Sequence, residues 1–324
     1  MKALLCKNWG APETLSVEDV PDPQPGAGQV VIDVKAASVN FPDTLIIQNR
    51  YQIKPALPFA PGGESSGVIR AVGEGVTHVK VGDRVTALTL YGSFAEQVVC
   101  DAGGVVPMPA QLDFVTAAAF GMVYGTSYHA LADRGALKTG ETLLVLGASG
   151  GVGLAAIEIG KLLGAKVIAA ASSPEKLAIC REHGADALID YSSEDLRARI
   201  KEITGGKGVD VVYDPVGGDL ADAALRSCTW RGRYLVVGFA AGAIPKAPFN
   251  IPLVKGSAIV GVFWGDYVNR EPDNFQRDQQ QLFAWLLAGK LRPRIVAEYP
   301  LARGGEAIRA LMERKISGKL VVTP

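Results

Sequence analysis

The residues best placed to do chemistry lie where a strand-like run, TLLVLG, enters Gly147-Ala148-Ser149-Gly150-Gly151-Val152-Gly153 and continues as a helical pattern, GVGLAAIEIGKLLG. In that setting a glycine-rich turn suits a pyrophosphate. Glycine at 150 lets the backbone approach phosphates with no side chain in the way. Glycine at 153 lets helix and strand pack closely, and the helix N-terminus offers unpaired N–H donors to negative charge. The strict G-x-G-x-x-G spacing is not met, because its first glycine falls on Ala148. The strand before, the helix after and the further strand–helix units downstream make Gly150, Gly151, Val152 and Gly153 a nucleotide-binding turn rather than a purely structural one.

A second signal follows the next strand. Sites specific for NAD place a carboxylate there, about 20 residues beyond the glycines, to hold the ribose 2′-hydroxyl. Here the strand ends Ala169-Ala170-Ala171-Ser172-Ser173. No acid stands at that end to repel a 2′-phosphate, while Ser172, Ser173 and Lys176 offer donors and positive charge. The alternative is that Lys176 is one more solvated helix charge. NADPH is the expected cofactor.

Elements must hold these groups. Up to about Asp113 the chain is short β-rich runs, among them VVIDVKAASVN, GDRVTAL and SFAEQVVC, broken by turn clusters such as PDPQPGAG. That pattern suggests a small β-barrel or sandwich. From about Ala117 apolar strands alternate with amphipathic helices through KVIAAA, PEKLAICREHG, ALIDY, EDLRARIKEITG, VDVVYDPV and RYLVVGF. Such alternation means an α/β fold with a doubly wound parallel sheet. Beyond about Val262 the regularity weakens to two helical patterns and a final strand, KLVVT.

Composition narrows the partners. With 48% hydrophobic and 20% charged residues over 324, the chain can bury two ordinary cores. Lys+Arg 33 balances Asp+Glu 33, so no overall field draws it to nucleic acid or an anionic membrane, and a neutral or small anionic partner fits better. Cys6, Cys100, Cys180 and Cys228 form no CxxC or Cys/His spacing, so no metal site is expected. Inert thiols in a reducing cytoplasm are the plain reading. The N-terminal stretch lacks the pattern of a secretion signal. The longest charge-free stretch, Phe114 to Ala132, carries Thr116, Gly121, Gly125, Ser127 and His129, so no membrane span is expected.

Taken together, AASVNFPDTLIIQNRY, PFAPGGESSGVIRAVGEGV, VGDRV, GSFAEQVV, GTSYHAL, GASGGVG, GADALIDY and VVYDPVGG resemble, in order and nearly end to end, the medium-chain dehydrogenase/reductase superfamily. Within it they are most similar to the zinc-less quinone oxidoreductases related to ζ-crystallin. The resemblance implies a GroES-like β-rich catalytic domain from residues 1–118 plus 263–324, with a Rossmann NADPH-binding domain, 119–262, inserted. It implies a cofactor and substrate meeting in an interdomain cleft, and a homodimer paired through the nucleotide domain. By similarity, Tyr191 joins Lys176 at the 2′-phosphate, and Asn40, Asp43, Thr126, Gly238, Phe239, Phe263 and Trp264 line the nicotinamide end. Zinc-dependent relatives carry Cys, His-Glu and Cys at positions matched here by the Ser38-Val39-Asn40 segment, Gly63-Glu64 and Met122 or a neighbour, so the resemblance implies no zinc.

Hydride transfer to an already activated electrophile, such as a quinone or an α,β-unsaturated carbonyl, needs orientation, exclusion of water and stabilisation of developing negative charge rather than a metal. Asn40 through its amide and Tyr51 through its phenol are the expected donors. Asn40 could instead only shape a turn, and Tyr51 only pack beneath a loop. Asp43 is expected to orient neighbours or hold the loop, since nothing in the sequence raises its pKa. His129 reads as a packed helix histidine and His183 as a helix C-terminal residue. The expected activity is NADPH-dependent reduction of a quinone. The alternatives are reduction of the carbon–carbon double bond of an enone, 2-alkenal or enoyl thioester, and a non-catalytic NADPH-binding protein.

Overall fold

The run QVVIDVKAASV, rich in β-branched residues, forms the strand Gln29–Val39, which pairs antiparallel with Glu64–Val72, Gln97–Asp101 and Lys319–Thr323. It is the spine of a seven-stranded sheet in the order Ile295–Pro300, Lys319–Thr323, Gln29–Val39, Glu64–Val72, Arg84–Leu88, Val105–Pro107, with Gln97–Asp101 also on the spine. Val30, Ile32, Val34, Ile69, Val85, Phe94, Val98, Leu320 and Val322 pack together as its core. The strand Lys319–Thr323 therefore lies inside this sheet although it comes last in the chain.

The second sheet has six strands, all parallel, in the order Ala187–Asp190, Lys166–Ala171, Thr142–Leu146, Val209–Asp214, Cys228–Val236, Ala258–Gly261. By order of appearance this is 3-2-1-4-5-6, the doubly wound dinucleotide-binding topology. Its central strands are mainly apolar because helices cover both faces. The expected α/β class, a GroES-like β domain with a Rossmann sheet, is the class observed. No helix is long and apolar enough to cross a membrane.

The computed structural model describes residues 1–324 as two units: 1–122 with 267–288 and 293–324, and 123–266 with 289–292. This differs from the expected boundaries in three places. Residues 119–122 stay with the first unit, where Phe120 stacks on Phe283 at 5.7 Å and the Met122 N–H donates to Glu64 Oε2 at 2.7 Å. Residues 263–266 stay with the second. Residues 289–292 return to the second unit, where the Arg292 N–H donates to Glu158 Oε2 at 3.0 Å. The sequence pattern assigns no strand to Ala258–Gly261 or Ile295–Pro300. Each is an edge strand; the burial of Ile295–Pro300 alternates, and Ala258–Gly261 is only four residues long.

Candidate functional site

In the second unit, the buried strand Thr142–Leu146 delivers the chain to Gly147, whose φ of +56° suits glycine. The Gly150 N–H closes the turn on the Gly147 carbonyl at 3.1 Å, and Gly150 becomes the N-cap of the helix Gly151–Leu162 with no side-chain cap. A Cβ on Gly153 would stand 2.6 Å from the carbonyl oxygens of both Gly147 and Ala148, so only glycine allows this strand–helix approach. A Cβ on Gly150 would meet only the Gly147 oxygen, at 3.4 Å. The two glycines thus do different work: one closes the fold and the other keeps the turn's outer side bare.

The neighbouring strand Lys166–Ala171 is followed directly by Ser172. Ser173 caps the helix Pro174–Glu182 by accepting from the Lys176 N–H at 3.4 Å, and Lys176 Nζ donates to Ser172 Oγ at 3.1 Å. Tyr191 arrives at the same end because Asp190 pairs with Ala171 in register, and the Tyr191 N–H donates to the Ala171 carbonyl at 3.1 Å. Ser172, Ser173, Lys176 and Tyr191 are thereby collected at the ends of two adjacent strands. Two carboxylates not considered in the sequence also stand here. Glu175 is held below its ordinary pKa by a hydrogen bond from Ser173, and Asp190 by hydrogen bonds from Ser192.

Thr126 lies half-buried on the helix Gly121–Tyr128. The Gly238 N–H donates to the Asp214 carbonyl at 3.3 Å, and the Phe239 ring lies against Gly217. Phe263 and Trp264 part company: Phe263 is exposed, whereas Trp264 is buried.

The first unit gathers a buried polar cluster of Ser38, Asn40, Asp43, Glu64 and Lys319. Glu64 Oε1 accepts from Ser38 Oγ at 2.6 Å, from Asn40 Nδ2 at 2.9 Å and from Lys319 Nζ at 3.3 Å. Lys319 Nζ also donates to Asn40 Oδ1 at 2.5 Å and to the Val39 carbonyl at 3.2 Å. Asn40 Nδ2 makes further bonds to Ser38, to its Oγ at 3.1 Å and its carbonyl at 3.3 Å. The Asn40 amide, expected to be a donor toward a reacting oxygen, is directed into this network. Its orientation is set by a cation on one side and a carboxylate on the other.

Asp43 holds the loop, as its place three residues after the N-cap Asn40 suggests. Its Oδ2 accepts from the Asn40 N–H at 2.7 Å and its Oδ1 from the Gly62 N–H at 3.0 Å. The expectation that nothing raises its pKa is corrected. Burial pushes the carboxyl up to about 7, outweighing the two N–H donors and the Lys319 charge that favour the anion. Tyr51 is half-buried against the barrel core, and its phenol is pushed up by burial and then by the Asp43 charge.

The positions matching zinc ligands converge without supplying a ligand set. A Cβ at Gly63 would stand 3.3 Å from Met122 Cε and 3.4 Å from the Leu90 carbonyl oxygen, and Ser38 is bound to Glu64. No group of three or more His, Cys, Asp or Glu is arranged to hold a metal ion. These residues do not fit a zinc centre.

His129 is buried at the start of a π-helical turn, 3.1 Å from Asp133. His183 is the C-cap of Pro174–Glu182, and its Nδ1 lies 2.7 Å from buried Glu158. Sequence reading missed Lys319 and Glu158 as site-forming residues. The signal available was a single charge inside an otherwise apolar element, in KLVVT and in GLAAIEIG.

Against known families, a zinc-binding dehydrogenase model matches residues 151–284 and an alcohol dehydrogenase GroES-like domain model matches 26–110. The quinone oxidoreductase-like protein 2 homolog of Nematostella vectensis is 38% identical, over 99% of this chain and 88% of that protein. Human quinone oxidoreductase is 34% identical, over 99% of this chain and 97% of its own. The crystal structure of Escherichia coli quinone oxidoreductase complexed with NADPH superposes with a TM-score of 0.94 at 31% identity, covering 100% of both chains.

Proposed function

Because this chain belongs to the quinone oxidoreductase branch of the medium-chain dehydrogenase/reductase superfamily, we propose that it is an NADPH-dependent, zinc-independent reductase of quinones. NADPH, when bound, supplies a hydride. The chain's own residues do the rest. The bare turn at Gly150, Gly151, Val152 and Gly153 receives the pyrophosphate on backbone N–H groups. Ser172, Ser173, Lys176 and Tyr191 hold the 2′-phosphate. Thr126, Gly238, Phe239, Phe263 and Trp264 orient the nicotinamide end.

In the first unit, Tyr51 serves as donor to the reduced oxygen, and Asn40, fixed by Lys319 and Glu64, shapes the wall beside it. Asp43 holds the loop and keeps a proton near neutral pH. The observation that carries the substrate class is the replacement of a ligand set by Ser38, Gly63 and Met122: an electrophile processed there must already be activated.

Two further readings complete the proposal. The chain pairs with a second copy through the edge strand Ala258–Gly261, beside which Trp230, Phe249, Leu253 and Val254 are exposed. It works in the cytoplasm, in keeping with four buried, unpaired thiols.

The test is NADPH oxidation by chelator-treated protein, offered an ortho-quinone, a 2-alkenal or a short enoyl thioester at matched concentration. Turnover of the quinone alone is expected. Turnover confined to the alkenal or thioester would make the protein a carbon–carbon double-bond reductase, and none on any of the three would leave a binding role.

A further inference from the structure

We infer that Glu158 is a positioning residue for the nucleotide, one carboxylate that keeps three helices in register. It is the single acid in the apolar helix Gly151–Leu162, and only 4% of it is exposed. A buried carboxylate without donors is costly, and an apolar side chain of similar size would serve packing at least as well. The contacts of this one are directional.

Glu158 Oε2 accepts from Tyr124 OH at 2.8 Å and from the Arg292 N–H at 3.0 Å, and Oε1 lies 2.7 Å from His183 Nδ1. The imidazole thus meets the carboxylate through Nδ1 rather than Nε2. All four residues belong to the second unit.

Two of the three ties, those to Tyr124 and His183, reach elements that carry a group assigned to the cofactor. Tyr124 is on the helix Gly121–Tyr128, which also bears Thr126. Glu158 itself is on the helix Gly151–Leu162, whose N-cap is Gly150. His183 caps the helix Pro174–Glu182, whose other end bears Ser173 and Lys176. A helix this short acts as a rigid lever: Lys176 stands about 10 Å along the axis from His183 at the standard rise of ~1.5 Å per residue. Apolar packing between helices tolerates sliding, whereas hydrogen bonds to one fixed carboxylate do not. The Arg292 tie adds the segment 289–292, explaining why that short piece of the tail joins this unit.

The inference rests on the reading of NADPH as cofactor, and the experiment separates the two. Dissociation constants for NADPH and NADH, kcat on the substrate that is turned over, and the melting temperature are measured for wild type, His183→Ala, His183→Asn and Tyr124→Phe, well below the melting temperature of each variant. His183→Ala frees the helix carrying Lys176, so the NADPH-over-NADH preference is expected to fall roughly three- to tenfold, the worth of one hydrogen bond. His183→Asn, which returns an amide donor near Nδ1, should restore most of that preference. Tyr124→Phe frees the helix carrying Thr126 and should act mainly on kcat by a similar factor. Lower melting temperatures with both binding constants and kcat held within about twofold would overturn the proposal alone and leave Glu158 a core residue. Wild-type protein binding neither nucleotide would overturn the cofactor reading and this proposal with it.

Discussion

Lys319 Nζ lies 2.5 Å from Asn40 Oδ1, joining residues 279 apart in the chain. The same ammonium reaches Glu64 Oε1 at 3.3 Å, so a single cation both orients the amide and neutralises the carboxylate. Burial pulls the Lys319 pKa down, opposed by Glu64 and Asp43. Replacing it by Lys319→Met strands a buried carboxylate, and a loss of about 3–5 kcal/mol in unfolding free energy is expected by urea denaturation. Adding Glu64→Gln to that variant should return part of the loss. If it returns none, the lysine acts through packing alone.

Asp43 gives the stability a pH slope. Its folded pKa, about 7, lies above the ordinary value of 3.8, so between these the folded state binds the extra proton. Stability from this group is full below about pH 4 and is lost as pH rises through 7. Melting temperatures across pH 4–8 should therefore fall more steeply in wild type than in Asp43→Asn. Parallel profiles would show that Asp43 titrates normally.

Two glycines of the phosphate turn should respond differently to alanine. Gly153→Ala forces a methyl group against two carbonyl oxygens at 2.6 Å and is expected to lower the melting temperature by several degrees or prevent folding. Gly150→Ala meets one oxygen at 3.4 Å, so the fold should survive while NADPH affinity drops at least about tenfold, as the methyl group displaces a phosphate. Calorimetry and fluorescence titration together check both.

The nucleotide unit was legible because its central strands are buried on both faces and read as mainly apolar runs separated by amphipathic helices. Thr142–Leu146 and the VIAAA of Lys166–Ala171 need no partner to be recognised. The polar cluster of the first unit was not. Asn40 and Asp43 stood out as residue types able to do chemistry, but the partners that decide what they do are Glu64 and Lys319, brought in by strand pairing across the sheet. A lysine opening an apolar strand looks solvated until its neighbours are known. The pKa of Asp43 is likewise a property of its burial, which residue type and spacing do not encode.

Lys176 should discriminate between the two nucleotides. Its hydrogen bond to Ser172 Oγ at 3.1 Å holds the ammonium at the strand end where Glu175 and Asp190 also stand. Lys176→Ala is expected to weaken NADPH binding about ten- to a hundredfold, the range for a charge-assisted hydrogen bond, with NADH binding little changed. Equal losses for both would place the lysine away from the 2′-phosphate.

The exposed apolar face beside Ala258–Gly261 predicts an assembly. Leu253 is 80% exposed and Val254 66%. The double variant Leu253→Glu, Val254→Lys should sediment as a monomer where wild type sediments as a dimer. A monomeric wild type would remove the pairing altogether.

The position of Lys319–Thr323 inside the first sheet inverts the usual order of folding on the ribosome. Glu64 leaves the ribosome 255 residues before Lys319 does. At roughly 5–20 residues per second that wait lasts from about a quarter of a minute to nearly a minute. Meanwhile every strand of the second sheet has emerged, and that sheet can close without the tail. The first sheet is thus completed only after the second, and until then its spine strand keeps an open edge at Ala37–Val39, the stretch that Leu320–Val322 will cover. For a nascent chain this is an unpaired strand edge open to pairing with another chain.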